Sequence, residues 1–471
     1  YMQMRLMSIK AKRNNEIKGQ VFTAVGEHFN NFYQHHLPFA LTDAQKRVIK
    51  EIRKDMGTGH QLNRLLQGDV GSGKTVVALL CALIAIDNGF QAAIMAPTEI
   101  LAQQHFESIS ELLNEIHLNV ALLTGSSKTA HRKKLHANLE NGQIHILIGT
   151  HALLEDKVKF NNLGFVVIDE QHRFGVAQRS KLWRKNTIPP HVLVMTATPI
   201  PRTLAMTVYG DLDVSIIDEL PPGRKPIKTV HRTDAHRLRV FSFMKEEIQK
   251  GRQVYVVYPL IEESETLDYK DLMDGYEGIC RAFPRPEFQI SILHGKMKPE
   301  DKEFEMKQFS EGKTQILVAT TVIEVGVNVP NASVMVIESS ERFGLSQLHQ
   351  LRGRVGRGAD QSFCILMTGH KLSNDGRKRI NTMCETNDGF QISEVDLKLR
   401  GPGDLMGTQQ SGLVEFHIAD IVKDTEILMA AREEVEYILK NDPNLSHAQL
   451  AEVKSHLQLI MKRMPNWARI S

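Results

Sequence analysis

Cysteine is scarce in this chain of 471 residues. Cys81, Cys280, Cys364 and Cys384 are scattered, and no two form a C-x-x-C pair. That excludes a disulfide framework and a zinc knuckle, and it suits a reducing cytoplasm. An excess of one charge is also missing: Lys+Arg is 58 and Asp+Glu 55, for a net charge of +3. A histone-like polycation is ruled out; local patches that bind nucleic acid are not. Long apolar runs are absent too. The longest, Val76 to Ile86, has eleven residues, too few to span a bilayer, so no membrane partner is expected. The first twenty residues carry five Lys/Arg and one Glu without an apolar stretch, unlike a secretory leader. What remains is an ordinary globular composition, 42% hydrophobic and 24% charged, long enough for about three domains.

Residues 1–30 read as a basic, weakly amphipathic helix, a connector to something before it. From about residue 39, short apolar runs alternate with helix-length segments. The runs Arg64–Gln67, Ala92–Ala96, Ile144–Ile148, Phe165–Ile168 and Val192–Met195 suit strands buried on both faces of a parallel sheet. Pro221-Pro222-Gly223 marks a linker. The pattern then restarts at Gln253–Tyr258, Ile290–Leu293, Ile316–Ala319, Val334–Ile337 and Phe363–Met367. Two α/β lobes of similar layout are implied. After Thr368 come a helical stretch around Arg377–Cys384, a loop at Arg400-Gly401-Pro402-Gly403-Asp404, and a helical tail from about Asp420 to Met464.

Gly68-Asp69-Val70-Gly71-Ser72-Gly73-Lys74-Thr75 fits G-x-x-x-x-G-K-[ST] between a strand-like run and a long apolar helix. Gly68, Gly71, Ser72 and Gly73 let backbone N–H groups turn toward phosphate oxygens, and the helix N-terminus adds its positive end. Lys74 would meet the β/γ-phosphates, and the Thr75 hydroxyl would bind Mg²⁺. The buried run ending Asp169-Glu170-Gln171-His172 supplies acids: Asp169 for Mg²⁺ and Glu170 to deprotonate the attacking water. Phe39, Leu41, Thr42 and Gln45 form F-x-L-T-x-x-Q. Phe39 and Gln45 could read an adenine, and Thr42-x-x-Gln45 is equally a capping box. Thr98, Thr124, Gly125 and Thr150 each follow a strand-like run. Hydroxyls and helix starts there suit phosphate contacts with nucleic acid, or simple capping.

With these strings, Thr196-Ala197-Thr198 and Gln350-Leu351-Arg352-Gly353-Arg354-Val355-Gly356-Arg357 complete a resemblance to superfamily 2 helicases. Gly68–Thr75, Asp169–Val176 and Thr196–Thr203 more specifically resemble the bacterial RecG family of ATP-dependent DNA helicases. The resemblance runs from about Phe39 to about Phe416. The segment from Asp388-Gly389-Phe390 to Gly407-Thr408-Gln409-Gln410-Ser411-Gly412 resembles a motif shared by RecG and the transcription-repair coupling factor Mfd. Ser72 and Gln171 look like the RecG forms.

The resemblance implies an α/β fold: two tandem RecA-like, doubly wound parallel-sheet lobes and a mostly helical C-terminal region. The expected divisions are 1–30 (connector), 31–224, 225–370 and 371–471. It implies ATP and Mg²⁺ as cofactors and branched or duplex DNA as partner, remodelled in repair and recombination. Single-stranded-DNA-binding protein is a further partner. A monomer in the bacterial cytoplasm, associated with the nucleoid, is expected, without the family's N-terminal wedge. Arg354 and Arg357, three apart and so on one helix face, would act as arginine fingers. Such fingers contribute about 10³–10⁵ in rate in other NTPases. Gln350 would sense the γ-phosphate and Gly326 would touch nucleotide, in a string that ends in Asn328 where the family usually has Asp. Thr320 would contact DNA. His172, Thr196, Thr198, Arg379, Arg400 and Gln410 would couple hydrolysis to movement. Arg379 reads alternatively as a solvated charge and Arg400 as a loop-fixing residue. The rival readings are an Mfd-like duplex translocase and another superfamily 2 DNA or RNA helicase.

Overall fold

The computed structural model describes residues 3–4, 7–8, 18–170, 182, 185–197, 199–201, 212–221, 223–259, 265–320, 329–356, 358, 360–404 and 424–463. Within these, side chains are described except at 265–271, 299, 400–404, 425 and 460–463. The chain forms two compact units. One holds Tyr1–Gly68, Ser72–Glu219 and Arg400–Ser471; the other holds Asp69–Gly71 and Leu220–Leu399.

The first unit is built on β1 (Asn63–Gly68), β2 (Gln91–Met95), β3 (Val120–Leu123), β4 (Ile146–Gly149), β5 (Leu163–Asp169), β6 (His191–Thr196) and β7 (Asp213–Ile217). They form one parallel sheet in the order β3-β4-β2-β5-β6-β1-β7. Every residue of β2, β4 and β6 is buried, because helices cover both faces. The second unit carries β8 (Lys228–Thr233), β9 (Gln253–Val257), β10 (Ile290–Leu293), β11 (Ile316–Ala319), β12 (Ala332–Ile337) and β13 (Phe363–Thr368). These are also parallel, in the order β10-β11-β9-β12-β13-β8. Numbered from the first strand of each unit, both sheets run 3-4-2-5-6-1, the first with β7 added at its edge. Each has its own apolar core, around Leu147, Val166 and Val194 in one and Val256, Val318 and Val336 in the other.

The expected α/β architecture therefore holds. Two strands escaped the sequence pattern, β7 and β8, and both lie at a sheet edge. An edge strand has one neighbour and partial cover, so Lys228-Thr229-Val230-His231-Arg232-Thr233 mixes polar and apolar residues, with Lys228 and Arg232 exposed and the rest half-buried.

Two expectations need correction. Residues 19–26, placed within a connecting helix, are not helical. Their backbone pairs with the first unit instead: Gly19 N–H with Gly59 O at 2.8 Å and Phe22 N–H with Met56 O at 3.0 Å. The buried Asp87 carboxylate accepts from the N–H groups of Gly26, His28 and Phe29 at 2.9, 3.0 and 3.1 Å. These partners replace the bonds a helix would make for itself. Likewise Arg400–Asp404, read as a loop, completes the helix Gly389–Asp404. Pro402 removes one donor near the end of a helix already propagated by the turns before it. The tail forms helices Thr425–Asn441 and Ala451–Arg463, and Val435 and Leu457 share a small core with Met4. No helix among the described residues is long and apolar enough to cross a membrane.

His191 joins the N-terminal segment to β6. Its Nδ1 accepts from Leu62 N–H at 2.9 Å, so Nε2 carries the proton and donates to Gln20 O at 3.0 Å. Burial pushes this imidazole down to about 4, with the Gln20 carbonyl opposing. The folded value lies below the unfolded value of about 6.5, so the neutral form is the one folding favours. Its contribution is complete above about pH 6.5 and is lost as the pH falls toward 4. Urea unfolding across that range should show falling stability, with a shallower slope in His191→Gln; equal slopes would remove His191 from the acid response.

Candidate nucleotide-binding site

All strands of a parallel sheet point their carboxyl ends to one edge, and ligands bind in the turns leaving it. At that edge of the first sheet lie the loop after β1, Thr98 beyond β2, Thr124 and Gly125 after β3, Thr150 after β4, Asp169 and Glu170 at the end of β5, and Thr196 at the end of β6. The fold thus gathers residues that are spread over about a hundred and thirty positions of sequence.

The loop after β1 is shaped by its glycines. Gly73 has φ +84° as N-cap of the helix Lys74–Asp87. A side chain there would collide with the Gln45 amide, and one at Gly68 with Ser72 Oγ. Gly71 also has positive φ. Lys74 is buried, and its Nζ donates to Gly68 O at 2.8 Å. Thr75 follows in the first helical turn. Gln45 does two things in the structure. It closes a capping box with Thr42, and its Nε2 donates to Ser72 O at 2.8 Å, pinning the loop to the helix Asp43–Met56. Phe39 leaves 41% of its surface exposed. Ser72 Oγ is buried with no hydrogen-bond partner among the described residues.

Asp169 is held ionised. Burial alone would push its carboxyl up. A hydrogen bond from His105, that residue's charge, the Lys74 charge and the Glu170 N–H together bring it below the usual range. Oδ2 meets His105 Nε2 at 2.9 Å, and Oδ1 accepts from Glu170 N–H at 3.1 Å. Glu170 has φ +52°, a left-handed conformation that costs a non-glycine residue about 1–3 kcal/mol. Ionised carboxylate and hydroxyl oxygens beside a lysine form a donor set that fits a hard divalent cation on a phosphate chain.

The other strand ends divide. Thr98 caps the helix Glu99–Leu112 by accepting from Leu101 N–H at 3.4 Å. Thr124 Oγ1 lies 3.0 Å from Ser126 Oγ, and Gly125 O accepts from Arg132 at 3.3 Å. Thr150 Oγ1, and Thr320 Oγ1 after β11 in the second sheet, are buried without a hydrogen-bond partner among the described residues.

In the second unit, Gln350 lies on the helix Leu345–Arg352 and Arg354 just beyond it, only 4% exposed. Arg379 is not a solvated charge, since its Nη1 donates to Phe343 O at 2.7 Å. His172, Thr198, Gly326, Arg357 and Gln410 lie outside the described residues, as does the side chain of Arg400. Sequence reasoning passed over His105 and Arg352. A signal existed for His105: it interrupts the buried stripe Leu101, Ala102 and Ile109 of its helix.

Residues 42–207 match the DEAD/DEAH box helicase family, and residues 238–359 match the helicase conserved C-terminal domain. Residues 386–471 match a more specific family, ATP-dependent DNA helicase RecG, domain 3, C-terminal. The ATP-dependent DNA helicase RecG of Synechocystis sp. is 52% identical over 94% of this chain and 53% of its own length. That of Bacillus subtilis is 49% identical over 97% of this chain and 66% of its own. The chain belongs to the RecG family. A solved structure of RecG bound to a three-way DNA junction is 43% identical, with a TM-score of 0.76, over 91% of this chain and 55% of that one. Measured against RecG relatives, the chain thus spans between about half and two thirds of their length.

Proposed function

We propose that this chain is an ATP-hydrolysing double-stranded DNA motor of RecG type, which remodels branched DNA in repair and recombination. Residues 31–224 and 225–370 are its two motor lobes and 371–471 its translocation region. The observation that carries the reading is the Gly68–Thr75 loop beside an ionised Asp169, within reach of the Lys74 charge. The RecG match over residues 386–471 favours this reading over an Mfd-like translocase.

Phe39 and Gln45 receive the adenine end of ATP, and Gly68, Gly71, Ser72 and Gly73 cradle its phosphates. Lys74 leaves the Gly68 carbonyl for a phosphate oxygen. Thr75 and Asp169 hold Mg²⁺, which when bound supplies charge neutralisation at the β/γ-phosphates. Glu170 orients and deprotonates the attacking water. Arg354 and Arg357 stabilise the charge that develops on transfer, with Gln350 and Gly326 sensing the nucleotide. Thr98, Thr124, Gly125, Thr150 and Thr320 meet the DNA backbone; the orphaned hydroxyls of Thr150 and Thr320 support this most directly. Phosphate contacts of this kind give sequence-tolerant, salt-sensitive binding. His172, Thr196, Thr198, Arg379, Arg400 and Gln410 convert hydrolysis into movement. The protein works as a monomer in the bacterial cytoplasm, on the nucleoid, with single-stranded-DNA-binding protein as a partner.

Phosphate release should be measured without nucleic acid, with duplex DNA, with a three-way DNA junction and with duplex RNA. Stimulation by both DNAs is expected. No hydrolysis, or stimulation by RNA alone, would overturn the reading.

A further inference from the structure

The helix Glu99–Leu112 packs Leu101, Ala102 and Ile109 into the first core. Residues 101, 105 and 109 are spaced four apart, so His105 lies on that same face. An apolar residue is what packing alone would select there. The imidazole instead reaches out of the helix to a carboxylate sixty-four positions along the chain: Nε2 stands 2.9 Å from Asp169 Oδ2. The contact is shielded, with 12% of the His105 side chain and 14% of the Asp169 side chain exposed. Backbone topology makes the encounter possible. β2 pairs with β5, Met95 opposite Ile168, so the helix that follows β2 starts beside the end of β5.

We infer that His105 is a positioning residue for the metal-binding carboxylate: it fixes the orientation of Asp169 and keeps it from turning onto Lys74. The inference rests on the nucleotide site proposed above. An ionised carboxylate offers about four lone-pair positions. The Glu170 N–H takes one on Oδ1 and His105 takes one on Oδ2, which leaves one on each oxygen. The nearby Lys74 charge already acts on this carboxylate. Without His105, rotation about the Cβ–Cγ bond of Asp169 would let an Asp169–Lys74 ion pair form. That would withdraw the acid from the metal and the amine from the phosphates at once. Groups that orient a metal ligand typically change metal affinity about 10–100-fold when removed.

The test uses the whole chain and a fluorescent N-methylanthraniloyl ADP, titrated first without Mg²⁺ and then with MgCl₂. In His105→Leu, which restores the apolar stripe, the Mg²⁺ concentration for half-maximal enhancement of binding should rise about tenfold. Binding without Mg²⁺ should change less than twofold. His105→Gln, whose amide reaches as far and donates, should recover most of the Mg²⁺ response; His105→Asn, too short, should not. Melting curves identify any variant that fails to fold. If His105→Leu does, the Gln and Asn pair still decides. Equal Mg²⁺ dependence in Leu or Asn variants and the parent, or tighter Mg²⁺ dependence in them, would overturn the role of His105. A parent chain that binds no nucleotide would sink the site itself.

Discussion

Replacing Lys74 with alanine should lower ATP turnover by a factor on the order of 10³, because a preorganised donor in a shielded site typically accounts for that much. The amine is buried and rests on the carbonyl of Gly68, inside the loop it serves, so it needs little rearrangement to meet a phosphate. The fold should tolerate the change: the Gly68 carbonyl loses a partner, a loss of about 1–3 kcal/mol. Lys74→Arg should restore little, because a planar fork cannot occupy the space of a compact ammonium in a loop this closely packed. Phosphate release measured beside a melting curve separates the two effects. Turnover at the parent's level in Lys74→Ala would remove the Gly68–Thr75 loop from the chemistry.

The largest loss of stability should come from Arg352. The residue is 2% exposed. Nη1 donates to Met383 O at 2.9 Å, to Thr386 O at 2.8 Å and to Thr229 Oγ1 at 3.4 Å, while Nη2 lies 3.0 Å from His349 Nδ1. One side chain thereby joins β8, the helix Leu345–Arg352 and the end of the helix Asn374–Glu385, whose last carbonyls it satisfies. Burial lowers the pKa of this guanidinium, and the carbonyl dipoles around it offset the charge. Arg352→Met keeps much of the volume and strands those carbonyls, so unfolding in urea should show a loss of about 3–5 kcal/mol. A loss under about 1 kcal/mol would mean the carbonyls find other donors. Arg354, two residues on, is one of the two arginines proposed for chemistry, whereas the contacts of Arg352 are structural.

The string of residues 350–357 shows what sequence can and cannot convey. Its composition marks a site, but the carbonyls that hold Arg352, those of Met383 and Thr386, lie about thirty positions away. His105 is a similar case, since its partner is Asp169. Where information is local, reading works. The run at Ile316–Ala319 coincides with β11, because a strand buried on both faces must be apolar throughout. The Gly68–Thr75 loop is legible for the same reason: its motif lies within eight consecutive residues. β7 and β8 were not, since edge position comes from topology and leaves a mixed pattern. Residues 19–26 take their conformation from Met56, Gly59 and Asp87, none of them neighbours in sequence.

The common strand order of the two sheets reaches further than architecture. In the first, Lys74 opens the helix after the first strand and Asp169 ends the fifth, followed by left-handed Glu170. In the second, Arg237 opens the corresponding helix and Glu338 follows the corresponding strand, ahead of left-handed Ser339. There the two charges bind each other, at 2.6 and 2.9 Å. One strand order, used twice, thus places a cation and an anion at matching positions, and in the later sheet the two are bound to each other.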